Sequence, residues 1–411
     1  MFKRRRKSFE QAHGLLDELR HVQAAIANGT IPTPATLRPL WLLQRLLVKE
    51  ITRAERKVRR IKSILKETQD RDGSERSISL MSQVEAHRHL AYTWRSFGDA
   101  IAFLFMDKFA LRQVYYNTHN TSAKQDAGFL SGKDGLVGEW AEVENWLRQG
   151  VPTLLTDLTN TIRHGDVCLM IGPDPVLIEV KLGELDRRGR QQRDAIRQLM
   201  NFFENDEIAS LRGLGTIRRT IHQSPEIRYA DVMEDTIIAA SRTGVAFESP
   251  EPGLWYVAIT DGSIDVDATL GGLGLGRPIA YLLNETKSIR AWAPYSPFIL
   301  SIRDRESSYR FIWGDVIVFV IYDLDELVAA AKLRGLTTTL FSRDQDSVFE
   351  LVEPTTRRNI RLAWQMFDRL AFEFTSPAWL LATTVERLDA QAVQSSATSE
   401  EDRLTATEPV F

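Results

Sequence analysis

Residues 165–181 have the sequence GDVCLMIGPDPVLIEVK. Two short apolar runs flank a turn at Gly172–Pro175, a pattern that predicts a buried β-hairpin. Asp166 lies at the start of the first strand. Glu179 and Lys181 are two residues apart on the second, so both project from the same face. Folding of the hairpin is therefore expected to bring Asp166 close to Glu179.

The chemistry of these side chains points to a divalent cation. Two adjacent carboxylates disfavour each other's charge unless a cation lies between them, and hard oxygen ligands suit Mg²⁺ or Mn²⁺. The ammonium of Lys181 could orient an attacking water molecule or offset charge that develops on a phosphate. The alternative is a surface hairpin with an incidental salt bridge between Glu179 and Lys181.

The triplet Glu-x-Lys has little specificity, because it also occurs at Glu55 and Glu285. Glu55 lies in a stretch with heptad spacing, where Glu55 and Lys57 point in different directions on a helix. Glu285 follows an apolar run that is better explained as a helix. The context of Glu179 differs, because a strand and an aspartate at hairpin distance precede it.

The flanks of the hairpin alternate between helix and strand. Residues 136–147 have the apolar spacing of a helix, and 151–155 form a short apolar run typical of a strand. A helix rich in Arg and Gln is predicted at about 190–204, and another strand at 254–260.

This order of elements resembles the core of the PD-(D/E)xK phosphodiesterase superfamily, which includes restriction endonucleases and recombination nucleases. The resemblance covers about Gly135–Asp261. It implies an α/β fold of the order αβββαβ, a mixed central sheet flanked by helices. The superfamily's Asp and (D/E)xK correspond to Asp166, Glu179 and Lys181, although Gly165 replaces the proline of the motif.

Two further segments extend the resemblance. Gly135-Leu136-Val137-Gly138-Glu139 is similar to the start of the superfamily's first helix, which makes Glu139 an additional ligand, with Glu142 as its rival. Gln198-Leu199-Met200-Asn201-Phe202 resembles a Gln-x-x-x-Tyr motif, so Gln198 could brace the site or contact DNA. The implied catalytic residues are Asp166, Glu179, Lys181, Glu139 and Gln198, of which Asp166, Glu179 and Glu139 would bind the metal.

The resemblance implies a Mg²⁺-dependent nuclease, with DNA favoured as substrate and a bacterial or phage-related restriction or defence role. A basic cluster beyond the hairpin would contact the nucleic acid backbone; it comprises Arg187, Arg188, Arg190, Arg193 and Arg197. The alternative is a catalytically inactive nucleic-acid-binding or assembly protein that uses the basic helical region.

Composition supports an ordinary globular chain of 411 residues with a net charge of −3. Residues 1–70 hold 16 Lys and Arg against 7 Asp and Glu, a balance of +9 that leaves −12 for the rest. This basic region could track phosphates or form a solvated helix. Cys168 is the single cysteine, which suits a reducing, cytoplasmic location. Neither a secretion signal nor a membrane segment is expected.

Four regions are predicted along the chain. They are a helical, coiled-coil-like domain at 1–130, the nuclease core at 131–262, an α/β region at 263–388 and a disordered tail at 389–411.

Three long helices are predicted within these regions. The first has apolar positions from Leu40 to Leu65 in steps of three and four, typical of a helical hairpin or a coiled-coil seam. Either a neighbouring helix or a second copy of the chain would cover that stripe. Cover by a second copy would make the protein a homo-oligomer. Single long helices are also predicted at 79–116 and 355–374.

Overall fold

The computed structural model describes residues 2–67, 75–126, 128–180, 187–219 and 224–389. The chain is of the mixed α/β class, as predicted, with several small antiparallel sheets. The tail predicted to be disordered lies, apart from Asp389, outside the described residues.

Two compact units divide the chain. The first unit comprises Met1–Thr220 and Glu285–Trp313, and the second comprises Ile221–Asn284 and Gly314–Phe411. The helical region and the hairpin at 165–180 therefore belong to the same unit.

Helices form the N-terminal part of the first unit. They are α1 (Arg6–Ala27), α2 (Arg38–Glu67), α3 (Glu75–Phe105) and α4 (Lys108–Gln113). The apolar stripe of α2, which includes Leu43, Leu47 and Ile51, is buried, and α2 packs against α1 and α3. The predicted helical hairpin is confirmed, and helices of the same chain cover the stripe.

The prediction of a single helix at 79–116 is wrong, because the helical conformation is interrupted between α3 and α4. Asp107 ends the continuity by accepting hydrogen bonds from the backbone N–H groups of Phe109 and Ala110, both at 2.9 Å. An aspartate in this position satisfies N–H groups that the first turn of a helix leaves unpaired. The local cap outweighs the apolar periodicity that continues through it.

The hairpin region follows in the predicted order. Its elements are α5 (Leu136–Arg148), β1 (Thr153–Leu155), β2 (Val167–Leu169), β3 (Val176–Ile178) and α6 (Arg187–Asn205), and the short pair β4 (Glu207–Ile208) and β5 (Ile217–Arg218) comes after them. Strands β1, β2 and β3 form one sheet in that order, and both pairs are antiparallel.

The sheet differs from the mixed sheet that the sequence predicts. The strand predicted at 254–260 forms as β7 (Leu254–Ile259), but it pairs with β6 (Val245–Glu251) and β9 (Ile317–Asp323) in the second unit. Among the described residues, the sheet that holds the hairpin is therefore antiparallel throughout. Strand pairing joins residues far apart in sequence, and local pattern does not specify which strands meet.

The second unit contains two sheets. Besides β6, β7 and β9, its strands are β8 (Pro278–Leu282), β10 (Thr337–Leu340), β11 (Ser347–Val352) and β12 (Asn359–Ala363). The four-stranded sheet has the order β6-β7-β9-β8, and the three-stranded sheet has the order β10-β11-β12. The helices are α7 (Ala230–Thr243), α8 (Val266–Gly271), α12 (Leu324–Leu333), α13 (Trp364–Phe367), α14 (Arg369–Phe372) and a last helix over 377–389.

Three short helices, numbered in chain order, come between β8 and β9. They are α9 (Leu283–Ser288), α10 (Phe298–Ser301) and α11 (Arg305–Trp313). The stretch Glu285–Trp313 belongs to the first unit.

The long helix predicted at 355–374 is wrong. Its first half is the strand β12, which pairs with β11, and Arg361 Nε donates to Glu350 Oε1 across the pair at 3.0 Å. The second half is the two short helices α13 and α14. Backbone pairing with β11 overrides the helical spacing of the apolar residues.

Within the described residues, every helix is too short or too polar to cross a bilayer.

Candidate functional site

The register of β2 and β3 ends with the pair of Val167 and Ile178, so Asp166 immediately precedes β2 and Glu179 immediately follows β3 at the same end of the hairpin. Asp166 N donates to Ile178 O at 2.8 Å. The carboxylate of Asp166 also accepts a hydrogen bond from Val180 N at 2.9 Å. Lys181, the next predicted residue, lies outside the described residues.

Gly165 allows the two strands to approach at this point. Its φ is +73°, and a Cβ atom there would lie 3.1 Å from Ile178 O. An L side chain rarely adopts that conformation and would press on the partner strand.

Glu139 lies in the first turn of α5 and is 3% exposed. A Cβ atom on Gly135 would lie 2.9 Å from Glu139 Oε1, so the glycine makes room for the carboxylate. Glu139 Oε2 is buried and has no hydrogen-bond partner in the described part of the chain. A buried polar atom of this kind is costly unless a ligand, ion or water satisfies it.

An ammonium group joins the carboxylates of this region. Lys133 Nζ lies 2.8 Å from Glu139 Oε1, 2.8 Å from Asp157 Oδ2 and 3.4 Å from Asp166 Oδ1. We call these four residues the carboxylate cluster. Three acidic groups from different elements thus converge on one positive charge.

The charges of the cluster shift one another. Burial, reinforced by the charges of Asp166 and Asp157 and opposed by Lys133, raises the pKa of Glu139 to about 7. Burial lowers the pKa of Lys133, but the carboxylates of Asp157 and Glu139 outweigh that effect and raise it above its ordinary value. Glu139 can therefore exchange a proton near neutral pH, whereas Lys133 stays charged.

Helices α2 and α3 hold the segments that carry Lys133 and Asp157. Glu55 on α2 accepts from Ser131 N at 2.8 Å and from Arg95 Nη2, also at 2.8 Å. Arg95 on α3 donates in turn from Nε to Asp157 O at 3.0 Å. A charged, mostly buried pair thus fixes both loops that contribute to the cluster.

The sheet edge and a neighbouring turn depend on the same helices. Gln44 on α2 donates from Nε2 to Thr153 O and accepts from Leu155 N. Its side-chain amide thus satisfies one backbone acceptor and one backbone donor of the edge strand β1. Asp99 on α3 accepts from the backbone N–H groups of Asn160 and Thr161 at 2.8 and 2.9 Å. Burial, which those hydrogen bonds oppose, raises the pKa of Asp99 to about 6.

The remaining predicted residues lie on α6, away from the contacts of the carboxylate cluster. The apolar face of α6 is buried through Leu199 and Phe202, and the opposite face is exposed. Gln198 lies on the exposed face and lines an open depression of about 610 Å³ with Gln191 and Arg212. No described contact joins it to the carboxylate cluster.

The predicted arginines share the exposed side of α6. Exposed side chains belong to Arg187, Arg190, Arg193 and Arg197, whereas the side chain of Arg188 is outside the described set. Arg197 lies 3.2 Å from Asp194 on the same helix. The surface is basic and open to solvent.

Sequence reasoning missed Lys133 and Asp157. Asp157 is a single acidic residue within the run Leu154–Leu158, a signal that could have singled it out. Lys133 precedes the glycine-rich start of α5 by two residues and carries no comparable signal.

The cluster differs from a preformed metal centre. Across the described ranges, no group of three or more His, Cys, Asp or Glu side chains is arranged to hold a metal ion. The carboxylates of the cluster instead surround the Lys133 ammonium.

Comparison of the chain with models of known protein families, with curated proteins and with solved structures gave no match.

Proposed function

We propose that this protein is a Mg²⁺-dependent nuclease with a PD-(D/E)xK-like site, and that it hydrolyses phosphodiester bonds, preferably of DNA. The observation that carries the proposal is the convergence of Asp166, the buried Glu139 and Asp157 at the end of the hairpin where Glu179 follows β3. The residues come from a helix, a turn and the positions that adjoin two strands. Such gathering of acidic groups costs free energy and is typical of functional sites.

The residues present fit a hard divalent cation. Asp166, Glu139 and Glu179 would hold it, with Asp157 as a further oxygen donor, and Glu139 Oε2 is a buried oxygen without a hydrogen bond among the described residues. When bound, Mg²⁺ would polarise the phosphodiester and lower the pKa of a water molecule. Mn²⁺ has the same preference for oxygen ligands.

The chain's own groups would supply ligands and charge. A cation held by Glu139 would favour the charged carboxylate and offset the burial that raises its pKa, so Glu139 would serve as a ligand and the attacking water would be activated by the cation. In this proposal Lys181 orients that water. The Lys133 ammonium balances the carboxylates while no cation is bound, and its 30% exposure leaves it a path to solvent.

The exposed face of α6 would bind the nucleic acid backbone. Its arginines project into solvent, where guanidinium groups can neutralise phosphates and release counterions. In this proposal Gln198 contacts the nucleic acid from the same face.

A cleavage assay tests the proposal. Plasmid DNA is incubated with the protein and Mg²⁺, and then with the variants Asp166→Asn, Glu179→Gln and Lys181→Ala. Each variant is expected to lose roughly 100-fold or more of the activity, because each removes a group that acts at the reacting phosphate. Glu18→Gln is the matched control, since Glu18 lies at an exposed position of α1 and outside the cluster. Equal cleavage by all four variants would reject the assignment.

A second function is favoured by one observation, the Lys133 ammonium among the carboxylates. A lysine that permanently replaces the cation would leave a catalytically inactive protein that binds nucleic acid or a partner through its basic helices. Isothermal titration calorimetry separates the two functions. Heat on addition of Mg²⁺ that disappears in Asp166→Asn supports the nuclease, whereas nucleic acid binding without Mg²⁺ binding supports the inactive protein.

We further propose the cytoplasmic setting of a bacterial or phage-related restriction or defence nuclease. Association of copies through the N-terminal helices has less support, because α1 and α3 of the same chain cover the stripe of α2. Light scattering on the full chain tests it, and a monomeric mass would reject the homo-oligomer.

A further inference from the structure

The first unit contains a cavity that the proposed nuclease site does not use. Its volume is about 510 Å³, within the range of roughly 300–1,000 Å³ that is typical of small-molecule sites. The lining comes from α2, α3, residues 125, 126, 128 and 129, the turn at 159–163, and residues 290 and 293.

Four arginines line this cavity, and we call it the arginine cavity. They are Arg88, Arg95, Arg163 and Arg290, against the two acidic lining residues Glu55 and Asp126. The side chains of Arg95 and Arg163 are only 13% and 11% exposed. Water screens charge poorly at such positions, so the cavity is expected to attract an anion.

The ion pairs of two arginines leave them able to bind a ligand. Arg88 and Arg290 share one carboxylate, that of Glu85, at 2.6 and 3.5 Å, and Glu85 is 55% exposed and outside the lining. Arg163 is held more firmly, because its Nε donates to Asn160 O at 3.0 Å, its Nη1 donates to Lys124 O and its Nη2 pairs with Asp126, whose side chain is 82% exposed. A phosphate can displace such solvated partners at little cost, because exposed ion pairs contribute little.

The rest of the lining suits the non-ionic part of a small molecule. The guanidinium of Arg163 lies 4.0 Å from the ring centroid of Tyr115, which fixes its orientation. Asn160 and Gln125 offer amide groups, and Phe129 with Val58 gives an apolar wall. The guanidinium group of an arginine can bind a phosphate through two parallel hydrogen bonds.

We propose that the arginine cavity binds a phosphate-bearing small molecule of nucleotide size. Its walls also reach the carboxylate cluster. Arg95 donates to Asp157 O, and Glu55 accepts from Ser131 N, two residues before Lys133. A ligand that binds the remaining N–H groups of Arg95, while its bonds to Glu55 and Asp157 stay in place, would therefore order both loops of the cluster. This second step, regulation of cleavage, rests on the proposed nuclease function, whereas binding itself does not.

Calorimetry on the full chain tests the binding. ATP and tripolyphosphate are titrated in buffer with EDTA, so that no divalent cation contributes. Binding of ATP with a Kd below about 1 mM is expected, and the double variant Arg88→Ala/Arg290→Ala should weaken it roughly tenfold or more. The control Arg148→Ala removes an exposed arginine of α5 with an ion pair to Glu144, and it should leave the Kd unchanged.

The binding of ATP and of tripolyphosphate each gives results that support or overturn the proposed site. Tighter binding of ATP than of tripolyphosphate supports a nucleotide-like ligand, and equal binding overturns that part and leaves a plain polyphosphate site. Absence of heat from both probes, or equal weakening by the double variant and by Arg148→Ala, overturns the site. Circular dichroism shows whether each variant is folded, and Arg163→Lys provides a milder variant if the double one unfolds.

Hydrogen exchange tests the connection to the cluster. Addition of ATP is expected to slow exchange at 130–133 and 156–158, and an unchanged rate there with measurable binding would overturn the coupling. Because neither measurement uses cleavage, a failure of the proposed nuclease function would leave the result for the arginine cavity intact.

Discussion

Lys133 provides the sharpest test at the scale of single residues. Lys133→Met keeps the length of the side chain and removes the charge that balances Glu139, Asp157 and Asp166. In EDTA at pH 7 we expect the free energy of unfolding to fall by about 1–3 kcal/mol, a figure reduced for the partial exposure of the lysine.

The response to Mg²⁺ should change in the opposite direction. Without its ammonium the cluster has room and charge for a cation, so Mg²⁺ is expected to raise the melting temperature more in Lys133→Met than in the wild type. Lys62→Met, an exposed lysine of α2, is the control. An identical effect of Mg²⁺ on all three proteins would mean that the cluster is a structural ion-pair network.

Burial of His164 is expected to make the stability of the folded state depend on pH. Its ring is buried, with Nε2 at 2.9 Å from Tyr116 O and Nδ1 at 3.2 Å from Lys124 Nζ. Burial first, and the charge of Lys124 next, lower the pKa of His164 to about 3. The neutral ring therefore favours the folded state above pH 6.5, and this contribution is lost as the pH falls toward 3.

The expected loss is roughly 3 kcal/mol between pH 6.5 and pH 4. Denaturant unfolding at several pH values measures it, and His164→Gln should flatten the slope over that range. His21→Gln, at an exposed position of α1, serves as the reference. A slope that is the same in all three proteins would contradict the assignment of this pH dependence to His164.

At the scale of elements, α3 and the turn that carries Asp157 meet at Gly98. A Cβ atom at this position would lie 1.9 Å from Leu158 O, a distance at which the backbone must move. Gly98→Ala is therefore expected to destabilise the protein by about 1–3 kcal/mol and to displace Asp157.

Gly14→Ala is the matched change, because a Cβ atom on this helical glycine of α1 meets nothing closer than 4.0 Å. There the loss of unfolded-state entropy should leave stability equal or raise it by about 0.4–1 kcal/mol. Thermal unfolding compares the two variants. Equal stability of both would show that the turn can move away from α3 without cost.

The helices and strands also show where the spacing of apolar residues predicts secondary structure correctly and where it does not. The helix α2 and the hairpin were predictable because spacing within one element states which face is buried. The stretch 355–374 was not, because β12 forms through pairing with β11 across the sequence. Asp107 broke a predicted helix by a side-chain cap, which periodicity of apolar residues does not register.

At the scale of the whole molecule, the hairpin region depends on the helices that precede it. Gln44, Glu55, Arg95 and Asp99 all hold backbone groups of the segment 131–161. We expect the isolated fragment 131–262 to lack a cooperative thermal transition, because these hydrogen bonds and the packing on α2 and α3 are lost.

Circular dichroism of the fragment beside the full chain measures this, and near-ultraviolet signals report on side-chain packing. A sharp transition in the fragment would indicate that the predicted region 131–262 folds by itself. The same experiment therefore tests the predicted domain boundaries.

The sequence by itself determined the hairpin and its turn, because turn residues and short apolar runs act over a few positions. It also marked Glu139 by its place at the start of α5. The tertiary structure decided the rest of the cluster. Lys133 and Asp157 are 24 residues apart and form an ion pair, and the segments that carry them are held by contacts with α2 and α3 that no local spacing encodes. Convergence on a site is a property of packing, and packing depends on which distant elements share a core.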